Sequence, residues 1–523
     1  MNGSWKKDWR GIRFAVENRA ARLDGGATLR VGALESAGSG QAEPAEWLRF
    51  DCFEQEPHWH LDPNGQDQKR PLDERGDIIA ETLALLETDL PRLLEEADAP
   101  AAVSKAARDG RSESPEAWRA HLEALSLAMR HRLSRHGELN LDDLDLRVLQ
   151  QRRSEKWHTY PKDILPAWVA EMDFPVAAPI QTELRRFAAQ ADVGYPLGLR
   201  ETGLPDLFCE RMASRFDWHP EPARVEILSE VVQGMYLALE AFSEPGDGVV
   251  VQTPIYPPFL SSVREMNRRL VENRFVLSDG QLAFDPDALT ASIDANTRML
   301  LFCNPHNPSG HVFTRPELER IAALAIEHDL VVVSDEIHND LLFDGRRHIP
   351  FASLSPEIAA RTITLTSASK TFNIPGLRCA IAHFGSEALQ NRFNTVVHRY
   401  IRGGIGLFGL YATMAAWNWG QPWLDEVLPY LQANRDFAEK ALHERVPEIK
   451  FIRPEATYLA WLDFSALGLD SRPASYLRQH GRVALSDGRS FGPGWDAFAR
   501  LNFATSRSIL TEIIDRIGQG LGR

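Results

Sequence analysis

The stretch Thr362–Arg378, TITLTSASKTFNIPGLR, joins a short β-branched run to a polar segment that contains one lysine, Lys370. This short hydrophobic run, bounded by turn signals, predicts a buried strand at Thr362–Thr366. Three more runs have the same character, and they are Val249–Gln252, Met299–Cys303 and Leu330–Ser334. Between two of them, Pro316–His328 repeats apolar residues on one helical face. Buried strands that alternate with amphipathic helices predict a mostly parallel sheet covered on both sides.

Polar residues follow three of these strands, at the point where each strand ends. Asn304–Gly310 (NPHNPSG) follows one strand, Asp335–His338 (DEIH) follows the next, and Ser367–Arg378 follows the third. Ligands of such sheets bind beyond the carboxyl ends of the strands. The sequence therefore predicts one binding site that is built from these three segments.

The three segments resemble the signatures of the fold-type I aminotransferases of class I/II, N-P-x-N-P-T-G, D-E-I-[YH] and S-x-[ST]-K-x-[FW]-x-x-x-G-x-R. The resemblance extends over about Leu149–Gly522. It implies an α/β fold, that of aspartate aminotransferase, with a large parallel-sheet domain and a small α+β domain. It also implies pyridoxal 5′-phosphate (PLP) as the cofactor, an amino acid as the substrate and a homodimer as the assembly.

The resemblance places four residues around the reactive part of the cofactor. Lys370 is expected to carry PLP as a Schiff base and then to move the proton at the substrate Cα. Asp335 is expected to keep the pyridine nitrogen protonated, because a nearby carboxylate raises the pKa of a cationic group. Asn307 and His338 are expected beside the phenolic oxygen.

Further cofactor contacts follow from the same resemblance. Tyr256 is expected to stack on the pyridine ring, and we assign it a catalytic role together with Lys370 and Asp335. Ser367 and Arg378 resemble the phosphate-binding pair, since a fixed guanidinium suits a dianion. Val232 lies in SEVVQGMY (229–236), which resembles a helix start whose N–H groups bind the phosphate.

Three residues are implied in contacts with the substrate or with a second subunit. Arg500, in Arg-Leu-Asn, resembles the arginine that binds the substrate carboxylate bidentately. Ala170 is expected in the substrate pocket. Tyr195, in Gly-Tyr-Pro, resembles the tyrosine that reaches the phosphate of the neighbouring subunit in family dimers.

The stretch Lys156–Phe174, KWHTYPKDILPAWVAEMDF, is similar to the opening of the cystathionine β-lyase branch, the MalY/PatB-type C–S lyases. Glu171 replaces a more usual Asp, and Arg402–Gly406 replaces a segment that often carries Asn. The similarity implies β-elimination through a carbanion at Cα. The alternatives are an aminotransferase and a biosynthetic PLP enzyme that performs γ-elimination, oxidative deamination or carbon–carbon bond formation. A regulator of the same fold that has lost catalysis is a further class.

The first part of the chain has a different character. Leu29–Glu35 and Trp47–Phe53 alternate as antiparallel strands do, with a loop predicted at Ser36–Glu46 between them. Ile78–Ala97 has a helical pattern, which Pro91 is expected to kink or end. Small residues then predict a linker at 98–115, before a second helix with an apolar stripe.

We therefore expect four segments. They are an N-terminal α+β accessory domain at 1–138, an N-terminal arm with part of the small domain at 139–199, a large PLP-binding domain at 200–400, and a C-terminal small domain at 401–523.

Composition restricts the partners and the compartment. The 73 acidic residues exceed the 58 Lys and Arg and give a net charge of -15, which argues against nucleic acid as a partner. No run of about 18 apolar residues predicts a membrane span. The four cysteines form no C-x-x-C pair, so a reducing cytoplasm is expected.

His58 and His60 are two residues apart and share one face of a predicted strand. Such a pair is compatible with metal binding. No third ligand with convincing spacing follows in the sequence, so no metal site is expected.

Overall fold

The computed structural model describes residues 5–10, 12–21, 24–33, 45–53, 57–61, 67–72, 78–133, 140–191, 193–198, 200–278 and 280–523. Most of the loop predicted at Ser36–Glu46 lies outside these residues. The chain folds into two compact units. The first unit is formed by Met1–Asn140, Ala177–Gly194 and Asn418–Trp423, and the second by Leu141–Val176, Tyr195–Trp417 and Leu424–Arg523. The segment 139–199 is therefore divided between the two units, whereas the division of the rest at residue 400 stays a prediction.

The first unit contains a six-stranded sheet in which each strand pairs antiparallel with the next along the chain. Its strands are β1 (Trp5–Trp9), β2 (Ile12–Ala21), β3 (Asp24–Ala33), β4 (Glu46–Phe53), β5 (His58–Leu61) and β6 (Gln68–Pro71). Its helices are α1 (Ile78–Glu96), α2 (Ala101–Glu113) and α3 (Pro115–Leu133). The strands and helices share one apolar core, to which Phe14, Phe50 and Leu125 contribute. Pro91 does not end α1, which continues to Glu96.

The linker prediction at 98–115 was wrong, because most of this stretch is helix α2. Alanine has the highest helix propensity, and small residues also allow helices to approach their neighbours closely. Ser104, Ala107 and Gly110 form the buried face of α2. A Cβ atom at Gly110 would lie 3.2 Å from the Trp9 indole nitrogen. The small residues therefore indicate tight packing here, and not a linker.

The strands in the first part of the second unit are β7 (Leu165–Pro166), β8 (Val225–Leu228), β9 (Gly248–Thr253), β10 (Arg269–Arg274), β11 (Val276–Ser278), β12 (Gln281–Ala283), β13 (Thr297–Cys303), β14 (Val331–Asp335), β15 (Thr362–Thr366) and β16 (Ala380–Phe384). Seven of them form a sheet of order β10-β9-β13-β14-β15-β16-β8, in which β16 alone runs antiparallel to the other six strands. A four-stranded antiparallel sheet of order β17-β18-β21-β20 follows. The later strands are β17 (Lys450–Ile452), β18 (Leu459–Asp463), β19 (Val483–Ala484), β20 (Ser486–Asp487) and β21 (Phe498–Asn502).

The helices after residue 140 belong to the second unit, except for their residues within Ala177–Gly194 and Asn418–Trp423, which group with the first unit. They are α4 (Leu146–Leu149), α5 (Glu155–His158), α6 (Ala178–Gln190), α7 (Leu204–Phe216), α8 (Val231–Phe242), α9 (Pro257–Glu265), α10 (Pro286–Ser292), α11 (Arg315–Glu327), α12 (Pro356–Ala359), α13 (Ala368–Thr371), α14 (Glu387–Val396), α15 (Arg399–Arg402), α16 (Leu407–Trp419), α17 (Gln421–Arg445), α18 (Pro473–His480) and α19 (Arg507–Gly520). No helix in the described part of the chain is long and apolar enough to cross a membrane.

The large sheet is buried on both faces, as the continuous apolar runs predicted. Alternate residues of one strand enter different cores: Val249 and Val251 pack with residues of α8, whereas Val250 packs with residues of α11. The four runs that were predicted as buried strands correspond to β9, β13, β14 and β15. The predicted α/β class with a mostly parallel sheet is therefore confirmed.

Candidate active site

The carboxyl ends of β13, β14 and β15 lie side by side, because these three strands are parallel neighbours. Asp335 is the last residue of β14, and the polar segments after β13 and β15 meet it at the same edge. The structure brings most of the predicted site residues into one pocket. Those that line it are Ala170, Val232, Tyr256, Asn307, Asp335, His338, Ser367, Lys370 and Arg378.

Lys370 lies in the one-turn helix α13, directly after β15. The hydroxyl of Ser367 caps this turn by accepting the Ser369 N–H at 3.1 Å. The Lys370 Nζ donates to the Ala170 carbonyl oxygen at 3.0 Å. Burial, and then the positive charge of Arg500, lower the pKa of Lys370 to about 8. The amine is therefore easier to deprotonate than an ordinary lysine, as a nucleophile or base requires.

The segment around Ala170 forms the wall against which Lys370 lies. Tyr458 donates its hydroxyl to the same Ala170 carbonyl at 3.0 Å. Asn373 fixes the following residues, since its side chain accepts the Met172 N–H at 2.9 Å and donates to the Met172 carbonyl at 3.0 Å. Asn373 is three residues after Lys370 in the same polar segment. One short stretch therefore carries the amine and also positions the opposite wall.

The outer residues of the Lys156–Phe174 stretch form a buried polar contact. The Lys156 Nζ lies 2.8 Å from Asp173 Oδ2, and both side chains are almost completely buried. The Trp157 indole N–H donates to Asp173 Oδ1 at 2.7 Å. A buried ion pair needs such added hydrogen bonds to offset the cost of desolvation. These residues therefore hold the wall in place and do not line the pocket.

Asp335 is a buried carboxylate that accepts the Ile337 N–H at 3.1 Å. Burial raises its pKa to about 7, against the lowering effects of the Ile337 N–H and the Lys370 charge. No cation forms an ion pair with Asp335 among the residues that the structure describes. Such a carboxylate is suited to a cationic ligand, whose charge would lower the pKa again.

His338 is buried in the same pocket, and its Nδ1 has no hydrogen-bond partner within the described chain. Burial, followed by the charges of Lys370 and Arg500, lowers the pKa of His338 to about 3. The imidazole is therefore neutral at physiological pH. A buried nitrogen without a partner is costly, so this atom is available for a polar group of a ligand.

Arg500 lies on β21 and is 4% exposed. Its guanidinium donates to Asn307 Oδ1 and to the Trp168 carbonyl, both at 2.9 Å. Its Nε has no hydrogen-bond partner in the described residues, and burial lowers the pKa of Arg500 to about 10. Since these contacts supply no negative charge, the guanidinium is suited to an anionic ligand such as a carboxylate.

Comparison with known proteins identifies the second unit. The family described as aminotransferase class I and II matches residues 203–517. Cystathionine beta-lyase PatB of Bacillus subtilis (strain 168) is 38% identical over 361 residues, which cover 69% of this chain and 93% of PatB. The cystathionine beta-lyase of Corynebacterium glutamicum is 35% identical over 380 residues, 72% of this chain and 99% of that protein. The chain belongs to the aminotransferase class I and II family.

A solved member of this fold carries the expected cofactor. The crystal structure of the PLP-bound C–S lyase from Staphylococcus hominis superposes with a TM-score of 0.68 at 26% identity and covers 73% of this chain and 98% of that one. The predictions of the family, of an enzyme and of PLP as the cofactor are thereby confirmed. The N-terminal part has a family of its own, because a domain of unknown function (DUF7700) matches residues 10–117.

Three groups of the pocket correspond to three chemical groups of PLP. Asp335 lacks a cation, the Nδ1 of His338 lacks a partner among the described residues, and the Lys370 amine has a lowered pKa. A protonated pyridine, a phenolic oxygen and an aldehyde would satisfy these three groups. Their individual contacts with the cofactor stay predictions.

The predicted phosphate-binding residues lie together but have other partners. Arg378 forms an ion pair with Glu230, which occupies the N-cap position of helix α8, one residue before Val231. The Ser367 hydroxyl donates to the Cys379 carbonyl at 2.6 Å. A phosphate at the start of α8 would compete with Glu230 for Arg378. Glu230 lies within SEVVQGMY, but sequence reasoning gave it no role.

The two predicted tyrosines differ in position. Tyr256 precedes helix α9, its N–H donates to the Asn307 carbonyl at 3.0 Å, and burial raises the pKa of its hydroxyl. Tyr195 is fully exposed and does not line the pocket of its own chain. Its predicted contact with a second subunit stays a prediction.

Sequence reasoning missed Tyr458 and the carbonyl groups of Trp168 and Ala170. A backbone carbonyl carries no residue-type signal, so these two acceptors could not be predicted. Tyr458 lies in no motif that marks a site, so no signal in the sequence pointed to it. Asn373 could have been found, because its amide lies in the most informative segment of the sequence.

Proposed function

We propose that this chain is a PLP-dependent C–S lyase that removes a thiol from the β-carbon of an amino acid. One observation carries the proposal: the segment that resembles the cystathionine β-lyase branch supplies, at Ala170, the carbonyl that accepts the Lys370 amine. The similarity to two cystathionine beta-lyases, from B. subtilis and C. glutamicum, and to the C–S lyase of S. hominis supports the same chemistry.

Residues that line this pocket, together with Arg500, which donates to the pocket residue Asn307, divide the work between binding and proton transfer. Arg500 binds the substrate carboxylate with its guanidinium and so orients Cα towards Lys370. Lys370, with its lowered pKa, accepts the Cα proton. A bound PLP would supply the electron sink for the resulting carbanion, and Asp335 would keep its pyridine nitrogen protonated.

Elimination then breaks the bond between Cβ and sulfur. The electron pair leaves with sulfur, which takes up a proton to become a thiol. The remaining three-carbon enamine tautomerises and reacts with water, giving pyruvate and ammonia. One thiol, one pyruvate and one ammonia are therefore released for each substrate molecule and each water consumed.

Product analysis of the purified holoenzyme tests this proposal. L-cystathionine and S-alkyl cysteines are incubated with the enzyme in the absence of any 2-oxo acid. We expect thiol and pyruvate in equal amounts over many turnovers. Turnover that requires an added 2-oxo acid and yields an amino acid from it would instead establish an aminotransferase. Loss of a γ-substituent with formation of 2-oxobutyrate would establish γ-elimination.

We also propose that the enzyme works as a cytoplasmic homodimer. Large apolar side chains of the second unit are exposed in the single chain, and Tyr195, Tyr400, Ile401 and Leu197 are among them. Exposed apolar groups of this size favour an interface. Sedimentation of the holoenzyme is expected to give twice the chain mass, and Tyr195→Ala should weaken cofactor retention. A monomer with full activity would contradict this assembly. The four cysteines, all within the described residues, form no disulfide with one another, which is compatible with a reducing compartment.

A further inference from the structure

A second group of buried polar side chains lies in the first unit, on the sheet face formed by β4 and β5. Asp51 and His58 are direct cross-strand partners, and His60 is two residues after His58 on the same face. All three residues are buried, with exposures of 1%, 9% and 7%. The Nε2 atoms of His58 and His60 lie 3.6 and 3.4 Å from Asp51 Oδ2. The third ligand that the sequence did not reveal is therefore supplied by the neighbouring strand.

The hydrogen bond at Nδ1 of His60 determines which of its two ring nitrogens keeps a lone pair. Nδ1 of His60 lies 2.6 Å from Asp67 Oδ1. A carboxylate at this distance binds the Nδ1–H proton, which leaves a lone pair on Nε2 in the neutral ring. Nε2 is buried and has no hydrogen-bond partner in the described part of the chain. A carboxylate behind one imidazole nitrogen is the usual arrangement of a histidine that binds a metal with the other nitrogen.

The Asp51 carboxylate is also held in place. The Thr28 hydroxyl donates to Oδ1 at 2.6 Å, and the Arg49 Nε donates to Oδ2 at 3.1 Å. Each carboxylate oxygen has two lone pairs, so both contacts leave Asp51 able to bind a cation. Supporting hydrogen bonds of this kind fix the orientation of ligands in metal sites.

The charges around the cluster favour a divalent cation. Arg30 connects two further carboxylates to this face, with its Nε 2.8 Å from Glu17 and its Nη1 2.6 Å from Glu46. Glu46 Oε1 is buried without a hydrogen-bond partner among the described residues. Two guanidinium groups therefore oppose four carboxylates in this network, which comprises Glu17, Arg30, Glu46, Arg49, Asp51 and Asp67. Lys69, the exposed cross-strand partner of His60, adds a positive charge beside this network, and the four carboxylates still outnumber the three cations.

We propose that Asp51, His58 and His60 bind a divalent transition-metal ion, with Zn²⁺ as the representative probe. Two imidazoles with one carboxylate suit zinc, iron, nickel and copper better than magnesium or calcium. Ligands about 2.0–2.1 Å from a tetrahedral ion are roughly 3.3 Å apart, close to the distances between the imidazole nitrogens and Asp51. All three ligand atoms lie within 4.8 Å of one another. Three protein ligands leave a fourth position for water.

Metal titration of the full-length holoenzyme tests the site. Protein treated with a chelator is titrated with Zn²⁺, bound metal is counted by elemental mass spectrometry, and Co²⁺ is used as a probe whose visible spectrum reports coordination. We expect one ion per chain, a tetrahedral-type Co²⁺ spectrum and a rise in Tm with added Zn²⁺. His60→Ala and His58→Ala should each weaken Zn²⁺ binding at least about 100-fold. Asp67→Asn should weaken it about tenfold, since Asp67 only orients His60.

Two controls separate this site from adventitious binding. His219 is a solvent-exposed histidine outside the cluster, so His219→Ala should bind Zn²⁺ as the wild type does. Lys370→Ala should also retain the ion, because the cluster contains no residue of the catalytic pocket. If the His58 and His60 variants do not fold, the wild-type stoichiometry, the Co²⁺ spectrum and Asp67→Asn decide the matter. Absence of stoichiometric binding in the wild type, or binding unchanged in Asp67→Asn and both histidine variants, would overturn the proposal.

Discussion

The catalytic pocket and the Asp51 cluster are both buried polar groups, but they use a β-sheet differently. In the pocket, Asp335 lies at the end of a parallel strand, where its carboxylate accepts one backbone N–H. In the cluster, Asp51 lies within an antiparallel strand, where Thr28 and Arg49 both donate to it. Strand ends leave polar groups unsatisfied and so suit a large organic ligand. A sheet face presents fixed, converging side chains and so suits a single ion.

The largest effect is expected at Lys370, where the amine has no substitute in the pocket. Lys370→Ala should reduce kcat by at least about a thousandfold, since the variant lacks the group that accepts the Cα proton. Steady-state pyruvate formation measures the loss. Borohydride reduction and peptide mapping of the wild type should place the cofactor on Lys370. Lys162→Ala, at an exposed lysine, is the matched control and should leave kcat unchanged. Cofactor attachment at another lysine would refute the site.

Asp335 and Asp340 are both buried, but only Asp340 has cationic partners among the described residues. The pH dependence of the free energy of unfolding can test this difference. The pKa of Asp335 is raised to about 7 by burial. Burial also acts on Asp340, but Arg211 and Arg215 outweigh it and lower its pKa. Between pH 4 and 7 the folded, cofactor-free protein therefore retains a proton on Asp335 that the unfolded chain has lost. Stability from this group is present at low pH and is lost as the pH rises through about 7.

Asp335→Asn should therefore stabilise the cofactor-free protein relative to wild type more strongly at pH 8 than at pH 5, since the penalty for the buried carboxyl builds up between about pH 4 and 7. The difference should be on the order of 2 kcal/mol in the free energy of unfolding, measured in urea. Asp340→Asn is the matched control and should destabilise the protein at pH 8 by about 3 kcal/mol, because it removes the partner of the buried Arg211 and of the more exposed Arg215. Equal behaviour of the two variants would show that Asp335 also has a cationic partner.

A smaller effect is expected at Arg500, because the substrate retains its other contacts. Arg500→Lys keeps the charge but loses the two-pronged contact. We expect kcat/KM to fall about 10- to 100-fold, mainly through KM, with the cofactor absorbance unchanged. Arg489→Ala, at an exposed arginine nearby in sequence, should leave both constants unchanged. Release of PLP from the Arg500 variant with KM intact would mean that Arg500 binds the cofactor instead.

The fold of the second unit and most of its pocket could be predicted because their signals are local. Each strand is a continuous apolar run, and each polar segment directly follows its strand. The contacts of Glu230 with Arg378 and of Tyr458 with Ala170 could not be predicted, because the partners are far apart in the sequence. The first pair is separated by 148 positions and the second by 288. The Asp51 cluster was missed for a related reason. Its third ligand is set by the register of β4 against β5, which a pattern of two histidines does not specify.

The smallest effect is expected at Gly110, where the linker prediction was wrong. Helix α2 packs closely against the side chains of Trp9 and Arg10, whose atoms lie 3.2 Å from an ideal Cβ at Gly110. Gly110→Val must therefore displace them. Overpacking costs about 1–3 kcal/mol, and valine returns roughly half a kcal/mol of helix propensity relative to glycine. We expect the free energy of unfolding of the first unit to fall by about 1 kcal/mol, measured by thermal denaturation with a probe on Trp9 or Trp118.

Ser112→Ala, on the exposed side of α2, should change the unfolding temperature little. A flexible linker would tolerate valine, so an unchanged unfolding temperature in Gly110→Val would favour a linker after all. Pyruvate formation by Gly110→Val should equal that of the wild type at 25 °C, because no side chain of this helix lines the catalytic pocket.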